Sequence, residues 1–368
     1  MEISMKFLKP IFFFTLFTAV VVAGPDLESA KIRIKDKDWK EAERYLLLAI
    51  NHPKDKWEAA FHLGDKIYVR TEEWSKVREY MNIALTADSK LKIRPTANDR
   101  KIPIDQAVNA SLAKSYNLIY YKATGYLKLL SAAQSEDQKN MFLEQAIATS
   151  SKAVELDPNQ PGAYALLALY SSVQGQKEET KKYLDLALGL PDLTDETVLA
   201  LLVSAGQSMV RLSEFDIALD YYNRALEIDA NEPSVLKNVG ALYLAKEDFD
   251  SALSNLNQAI EVTEDEKELV DLYFNRGLVY LKMEKFDEAE FNFEEAYYLA
   301  PEDEEALLGL ARALEEAERW RKSRNYYMEL IDKDPNNSAY YYGVYRTFFG
   351  EGRLADAQEY LNKANALR

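Results

Sequence analysis

One short string recurs along the second half of the sequence at a nearly constant spacing. It reads FDIALDYYNRALEIDANEP from Phe215, FDSALSNLNQAIEVTED from Phe249 and FDEAEFNFEEAYYLAPED from Phe286. The fourth position of each copy is alanine. Self-similarity at a period of about 20–50 residues is the signature of a repeat architecture, so this string restricts the fold before any other feature does.

The same register extends along most of the chain. Nine anchor positions, most of them small, are equivalent to the alanine of that string: Ala42, Val77, Ala146, Thr180, Ala218, Ala252, Ala289, Ser323 and Ala357. From Ala146 onward, the steps between anchors are 34, 38, 34, 37, 34 and 34 residues. Ahead of two anchors, a second apolar segment carries a glycine and a tyrosine, at Gly240 and Tyr243 and again at Gly277 and Tyr280.

This pattern resembles the tetratricopeptide repeat, whose period is about 34 residues, over residues 26–368. The resemblance implies an all-α fold, a right-handed α-solenoid of about nine helix pairs, with a concave groove lined by the first helix (helix A) of each pair. One pair cannot bury its apolar face alone, so stacked neighbours supply the stability. We expect Gly240 and Gly277 where helix A closely crosses the second helix (helix B). The large residues four positions after the anchors, such as Leu256 and Phe293, are expected to fill space against the next repeat.

The third repeat departs from the regular spacing. Val77 and Ala146 are 69 residues apart, about two periods, but only one helix pair fits well between them. Residues 88–103 contain two prolines and no apolar periodicity, which predicts a structureless loop. Residues 104–133 then read as one long helix A, and Ser135 to Asn140 as a polar turn before helix B. A loop of this length is often functional, and a plain insertion between two sub-arrays is the alternative.

The predicted loop is basic in an acidic protein. Its cations are Lys90, Lys92, Arg94, Arg100 and Lys101, and they are opposed by Asp88, Asp99 and Asp105. Contact with lipid headgroups or with an acidic partner is one interpretation of this patch. A solvated loop is the simpler one.

The first 23 residues differ in composition from everything after them. Lys6 and Lys9 precede a run of 13 residues without charge, from Ile11 to Ala23. An apolar run of about 7–15 residues is typical of a signal peptide, whereas a membrane-spanning helix needs about 20. We therefore predict cleavage after Ala23 and an exported protein, located in the periplasm, outside the cell or in the cell envelope. An uncleaved anchor, which would add membrane contact, is the alternative.

These features together predict the organisation of the chain: a signal peptide (1–23), repeats 1 and 2 (24–87), a basic loop insertion (88–103) and repeats 3–9 with an enlarged repeat 3 (104–368). Repeat nine ends inside its helix B, without a further polar helix, although terminal repeats normally need a polar outer face. Polar residues on that helix allow it to cap itself. The alternative is docking against a partner or a second copy.

Composition argues against several kinds of chemistry. The chain has no cysteine, which rules out disulfides, thiolate zinc sites, iron–sulfur clusters and a cysteine nucleophile. Two histidines leave little for metal or acid–base chemistry, and no HExxH, GxSxG, P-loop or GxGxxG motif occurs. A net charge of −16 argues against nucleic-acid binding, which rests on clustered Lys and Arg. We therefore expect a non-enzymatic protein with no catalytic residues, no metal and no cofactor.

Two acidic clusters lie at repeat junctions, at 264–266 and 302–305. Paired carboxylates can hydrolyse glycosidic bonds. At a repeat junction, however, acids favour the start of the next helix through its dipole. We interpret both clusters as helix-start charge.

A carboxylate clamp for peptide tails, found in some tetratricopeptide repeat proteins, is only partly matched. Lys237 and Asn238 fit its beginning, but Asp271 and Glu305 stand at the later basic positions. Binding of an acidic C-terminal tail is therefore not expected. Asn238 and Asn275 occupy matching positions in successive A helices. The resemblance implies contact with a bound peptide backbone, and a hydrogen bond between repeats is the alternative.

The family geometry also places a stripe of residues on the concave face. The predicted groove consists of Val203, Gln207, Val210, Lys237, Asn238, Ala241, Leu244, Phe274, Asn275, Leu278, Leu281, Leu308, Arg312, Glu315, Tyr342, Arg346 and Phe349. This stripe is apolar at its centre and has cations near its C-terminal end. Exposed apolar patches of several hundred Å² usually mark interaction sites. Packing of Phe274 and Leu308 against helix B neighbours is the alternative.

The sequence therefore predicts an exported adaptor that binds a protein or peptide segment in its concave groove, in cell-envelope assembly or secretion. A self-associating scaffold, built through the C-terminal repeat, is one alternative. A glycan-binding accessory protein, using tyrosines between Tyr116 and Tyr126, is another.

Overall fold

The computed structural model describes residues 27–96 and 99–367, so the predicted signal peptide lies outside the described residues. The chain divides into two compact units, with the boundary in sequence after Tyr170. Each unit is built almost entirely of consecutive helices. Among the described residues, no helix has both the length and the apolarity needed to cross a membrane.

The first unit contains the irregular part of the array. Its elements are α1 (Leu27–Lys35), α2 (Trp39–Ala49), α3 (Lys56–His62), a π-helical stretch (Leu63–Tyr68), α4 (Val69–Thr71), α5 (Trp74–Leu85), β1 (Lys92–Ile93), β2 (Ile102–Pro103), α6 (Ile104–Ser131), α7 (Glu136–Leu156) and α8 (Pro161–Val173), which contains the unit boundary. The stretch from α3 through α4 is one continuous helix A.

The second unit is more regular. Its elements are α9 (Lys177–Leu188), α10 (Asp195–Arg211), α11 (Phe215–Ile228), α12 (Pro233–Ala245), α13 (Phe249–Val262), α14 (Glu266–Lys282), α15 (Phe286–Leu299), α16 (Glu304–Glu316), α17 (Trp320–Lys333), α18 (Ser338–Gly350) and α19 (Leu354–Ala366). Helix B of one repeat packs against helix A of the next from α11 through α18, and α14 also contacts α12 and α16. In sequence order, the helices of the described residues form nine pairs, which confirms the predicted all-α solenoid of about nine helix pairs.

The nine anchors are consistently buried. Each is exposed by 2% or less. The two hydroxyl anchors satisfy their polar groups locally, since Thr180 donates to the Gln176 carbonyl at 2.7 Å and Ser323 to the Ala311 carbonyl at 2.8 Å. The anchor positions identified from the sequence are therefore positions that the packed helices bury.

Helices A and B approach each other closely at several glycines of helix A. A Cβ atom on Gly240 would lie 2.7 Å from Leu256 Cγ, and one on Gly277 would lie 2.9 Å from Phe293 Cε1. Both partners belong to helix B of the same repeat. Phe293 is also in contact with Gly309 of the next repeat, so its ring fills space on both sides.

The turn between helices A and B repeats in backbone conformation. Two residues before helix B, eight repeats place a residue with a φ between 56° and 73°: Lys37, Glu72, Gly175, Ser213, Glu247, Glu284, Glu318 and Gly352. The amide of the following residue bonds back to helix A, as when Lys285 N–H donates to the Tyr280 carbonyl at 2.9 Å. This is the Schellman way of ending a helix. Only two of the eight are glycine, although other residues pay about 1–2 kcal/mol in this conformation.

The enlarged third repeat differs from the prediction in two places. The polar turn predicted at Ser135–Asn140 is wrong, because Ser135 caps a helix that begins at Glu136 and its Oγ accepts the Gln138 N–H at 3.2 Å. Residues 88–103 are not structureless either. Ile93 pairs with Ile102 in a short antiparallel ladder, and the 1% exposure of Ile93 supplies the apolar contact that holds this hairpin.

Replacing Gly240 by alanine tests the close approach of the helices. The new methyl group overpacks Leu256, which costs about 1–3 kcal/mol, against about 1 kcal/mol gained in helix propensity. We expect a net loss of about 1 kcal/mol of unfolding free energy, measured by urea unfolding followed by circular dichroism. Gly125→Ala is the matched control, since nothing lies within 4 Å of the added Cβ, and it should stabilise the protein. A Gly240→Ala variant as stable as Gly125→Ala would contradict the packing described here.

Candidate functional site

The predicted groove residues lie on the A helices of the second unit, but their exposure varies. The exposed members are Gln207, Val210, Arg312, Arg346 and Phe349. The half-buried members are Val203, Lys237, Asn238, Ala241, Leu244, Phe274, Asn275, Leu278, Leu281, Leu308, Glu315 and Tyr342. The stripe is therefore more covered than its sequence pattern predicts.

Four of these residues come together in one depression of about 260 Å³ between α10, α11 and α12. We call this the α10–α12 depression, and it is lined by Gln207, Val210, Phe215, Tyr222, Asn238, Ala241, Leu242 and Ala245. Helical spacing explains the grouping, because residues three or four apart share a face of their helix. Neighbouring A helices then present those faces side by side.

The lining of the depression is uncharged and mixed in polarity. The side-chain amides of Gln207 and Asn238 each carry a donor and an acceptor. No described residue forms a hydrogen bond with either of these two amides, so the alternative of a hydrogen bond between repeats is not found at Asn238. Val210 and Phe215 are 36% and 37% exposed beside them. The depression can therefore accept both hydrogen bonds and an apolar side chain.

Tyr222 is the most buried side chain of the lining, with 1% of the residue exposed. Burial raises the pKa of its hydroxyl to about 12. The group therefore stays neutral in the pH range of most proteins, and it adds no charge to the depression.

The apolar centre of the predicted groove is mostly used in packing. Phe274 meets Phe293 edge to face, with ring centroids 5.5 Å apart, and Leu278 packs in the same cluster. Leu308 packs in a separate cluster around Tyr327. These contacts favour the alternative of packing against helix B neighbours, because each side chain already has apolar partners.

The two cations near the C-terminal end of the stripe differ in whether an anion pairs with them. Arg346 binds Glu315 through two hydrogen bonds, one of them 3.0 Å from Nη2 to Oε2, and also approaches the Tyr327 hydroxyl at 3.2 Å. Its charge is therefore matched within the fold. Arg312 is exposed and forms no ion pair with a described residue. The Tyr342 hydroxyl donates to Asn365 Oδ1 at 2.6 Å.

Lys237 shows why a peptide clamp is not reproduced. Its ammonium lies 2.7 Å from the Asp271 carboxylate of the next helix A. The position where the clamp would need a cation thus holds an anion that occupies the lysine.

The acidic clusters begin helices, as predicted. Asp265 caps α14 by accepting the Lys267 N–H at 2.9 Å, and Asp303 caps α16 by accepting the Glu305 N–H at 2.8 Å. Among residues 27–96 and 99–367, no group of three or more His, Asp or Glu side chains could hold a metal ion.

The tyrosines proposed for glycan binding are largely covered. Tyr116 is 8% exposed and stacks on half-buried Tyr120, with ring centroids 5.8 Å apart. Only Tyr121, at 70%, presents most of its surface. The burial of Tyr116 and the partial burial of Tyr120 and Tyr126 therefore disfavour a tyrosine-rich glycan surface between Tyr116 and Tyr126.

Sequence reasoning missed four members of the depression: Phe215, Tyr222, Leu242 and Ala245. A signal for Phe215 was present, because it begins the recurring string. Its counterparts Phe249 and Phe286 are half-buried, whereas Phe215 is 37% exposed. Exposure at one copy of a repeated position depends on its neighbours, and the repeat pattern does not contain that information.

Two tetratricopeptide repeat family models match the chain, at residues 231–302 and 280–346. The matches together cover residues 231–346, and with the nine helix pairs of the described residues they support a tetratricopeptide repeat protein. Such proteins are typically non-catalytic scaffolds for protein–protein interaction, and this indicates an interaction adaptor.

Several solved structures are similar. YrrB, described as a tetratricopeptide repeat protein with an unusual peptide-binding site, is 21% identical over 46% of this chain and 85% of its own, with a TM-score of 0.41. MamA from Desulfovibrio magneticus RS-1 is 20% identical over 46% and 94%, with a TM-score of 0.43. PilF from Pseudomonas aeruginosa is 18% identical over 69% and 90%, with a TM-score of 0.41. A search of curated proteins finds no match.

The raised pKa of Tyr222 predicts that the free energy of unfolding falls at alkaline pH. Its folded-state pKa of about 12 exceeds the ordinary value of about 10. The stabilisation is therefore complete below pH 10 and is lost as the pH rises through about 12. Tyr222→Phe should remove about 2 kcal/mol of the pH-dependent loss of unfolding free energy between these values.

The measurement is urea unfolding at pH 9 to 12, with Tyr298→Phe as the control because Tyr298 is 80% exposed. Equal pH profiles for the two variants would show that Tyr222 does not titrate with a raised pKa.

Proposed function

We propose that this protein is a non-enzymatic exported adaptor, and that the α10–α12 depression receives a segment of another protein. The observation that carries the proposal is the pair of amides from Gln207 and Asn238, which stand without hydrogen-bond partners beside partly exposed apolar side chains. The class of the protein, an interaction scaffold, is the starting point.

The amides favour recognition of a peptide backbone. A side-chain amide can accept from a backbone N–H and donate to a backbone carbonyl at once. Two such groups on adjacent A helices allow contacts along an extended stretch, and they do not depend on the identity of the bound side chains.

The apolar lining favours one anchoring side chain. Val210, Phe215, Tyr222 and Ala241 lie in this lining, and an apolar residue of the partner would insert beside them. Peptide recognition by grooves commonly uses such anchors. Since the lining has no charge, a charged anchor would be desolvated without compensation, so the partner segment is uncharged at this point.

The setting we propose is the cell envelope, in assembly or secretion. This part rests on the sequence of residues 1–23, where a short basic segment precedes 13 uncharged residues. An exported adaptor would meet its partner outside the cytoplasm.

A second candidate function is self-association through the C-terminal repeat. Phe349 and Leu354 favour it, because they are 58% and 63% exposed. A second copy of the chain could bury both apolar side chains.

Val210→Glu tests the adaptor proposal. A carboxylate at the edge of the depression should repel an apolar segment and abolish partner capture, with little effect on the fold because the side chain is 36% exposed. The measurement is crosslinking of the full chain in an envelope extract, followed by affinity purification and mass spectrometry. Phe274 and Leu308 are unsuitable for this test, because charge there would disrupt core packing.

Ile228→Glu is the matched control. Ile228 is 38% exposed and lies on α11 outside the depression, so this variant should capture the same partner as the unchanged chain. Capture that survives Val210→Glu would overturn the proposed site. Recovery of a second copy of this chain alone would favour the scaffold.

Export predicts a processed protein. N-terminal sequencing of the chain isolated from cells should begin at Gly24. Interrupting the apolar run with Phe13→Glu and Phe17→Glu should keep the unprocessed chain in the cytoplasm. A native chain that retains residues 1–23 would contradict cleavage, and an unprocessed chain in the cytoplasmic fraction would contradict export.

A further inference from the structure

A cavity of about 470 Å³ opens in the first unit beside α1, the second helix A and the β1–β2 hairpin. We call it the hairpin cavity. Its volume is within the range of about 300–1,000 Å³ that is usual for small-molecule sites. Ile34 and Pro95 contribute apolar wall, and four cationic side chains stand around it: Lys31, Lys35, Lys66 and Arg94.

Two of these cations are already neutralised. Lys31 lies 2.8 Å from Glu28 and 2.9 Å from Glu58, and Lys66 lies 2.5 Å from Asp65. They fix the geometry of the wall, and they contribute little net charge.

Lys35 and Arg94 are different. Both are exposed at the cavity, and neither forms an ion pair or a side-chain hydrogen bond with residues 27–96 or 99–367. They come from separate segments, one from the end of α1 and one from the hairpin. In a protein with a net charge of −16, two unpaired cations that converge on one cavity produce a local site for an anion.

His62 adds a polar group that has no partner. The residue is 4% exposed and lines the cavity, and neither Nδ1 nor Nε2 has a hydrogen-bond partner. Its closest approach to a carboxylate is 3.8 Å, from Nε2 to Glu58 Oε1, which is beyond hydrogen-bond distance. A buried polar group without a hydrogen-bond partner destabilises the fold. A ligand that accepts a hydrogen bond from the imidazole ring would remove this cost and so bind more tightly.

The backbone is also unusual at this position. The π-helical stretch Leu63–Tyr68 follows His62 directly and contains Lys66. Such stretches interrupt α-helices at a cost and frequently occur at functional sites. The irregular helix, the unpartnered histidine and the unpaired cations thus coincide at one cavity.

We propose that the hairpin cavity binds a small organic anion, in which a carboxylate or phosphate head group is carried on a short apolar body. Lys35 and Arg94 pair with the head group, and an N–H of His62 donates to it. The body lies against Ile34 and Pro95. This role gives the basic hairpin a function separate from that of the α10–α12 depression, so either site can fail without the other.

The test measures binding of two anionic probes, octanoate and octyl phosphate, to the full chain by isothermal titration calorimetry. Octanol and octylamine have the same apolar body with a neutral or cationic head. We expect one site per chain, with either anion binding at least about tenfold more tightly than the other two probes. The better anion distinguishes a carboxylate ligand from a phosphate ligand.

Variants then locate the site. Lys35→Gln and Arg94→Gln should each weaken binding of the better anion by about fivefold or more, and His62→Leu should do the same. Arg100→Gln is the matched control, because Arg100 belongs to the same hairpin region but does not line the cavity. Circular dichroism checks that each variant folds.

Three results would overturn the proposal. The first is an absence of binding by both anions, the second is equal binding of octanol, and the third is an Arg100→Gln variant that weakens binding as much as Arg94→Gln. The comparison of probes needs no variant, so it decides the head-group chemistry even if a substitution disturbs the fold.

Discussion

The close crossing of helix A and helix B is the interaction on which the rest of the array depends. Where the glycine of helix A stands 12 residues before the anchor, as Gly240 and Gly277 do, it receives the large side chain of helix B of its own repeat. Where it stands 14 residues before the anchor, as in Gly309, it receives that of the preceding repeat. Two positions along a helix turn the glycine by about 200°. A glycine in helix A therefore allows close packing within one helix pair in some repeats and between two neighbouring pairs in others. Phe293 makes both kinds of contact, with Gly277 of its own repeat and with Gly309 of the next.

This constraint explains why the fold could be predicted from the sequence. A side chain at an anchor must fit a tightly packed position, and most anchors are small, so the requirement recurs with the period and is visible without a structure. The turn conformation recurs equally well, but it is backbone geometry held by hydrogen bonds such as Lys285 N–H to the Tyr280 carbonyl. Glu247 and Glu284 adopt this conformation, but a glutamate, unlike a glycine, does not indicate it in the sequence. The π-helical stretch and the two-residue ladder at Ile93 are single events, and a single event leaves no periodic signal.

The candidate sites also combine features that the repeat pattern predicts with features that it does not. Register alone placed Gln207 and Asn238 on helix A, and both line the α10–α12 depression. Register could not distinguish Phe274 from Val210, because both lie on the same predicted stripe. The structure covers Phe274 with the Phe293 ring, and that contact depends on which large residue the neighbouring helix B carries. The burial of a groove residue is therefore a property of two repeats, whereas its position is a property of one.

The two sites differ in how the array leaves groups unsatisfied. In the regular repeats, stacking pairs some charges between neighbours, as Lys237 and Asp271 or Arg346 and Glu315 do, and the α10–α12 depression has an uncharged lining that contains two amides without partners among the described residues. In the first unit, the hairpin inserts between repeats and brings Arg94 to a wall that no regular repeat would build. The ligand chemistry that we propose for each site follows from this difference. The uncharged lining of the α10–α12 depression, on a repeated surface, favours a long uncharged segment, which can extend over several repeats. An irregular cavity with unmatched cations favours a compact anion, because its charge is concentrated at one point.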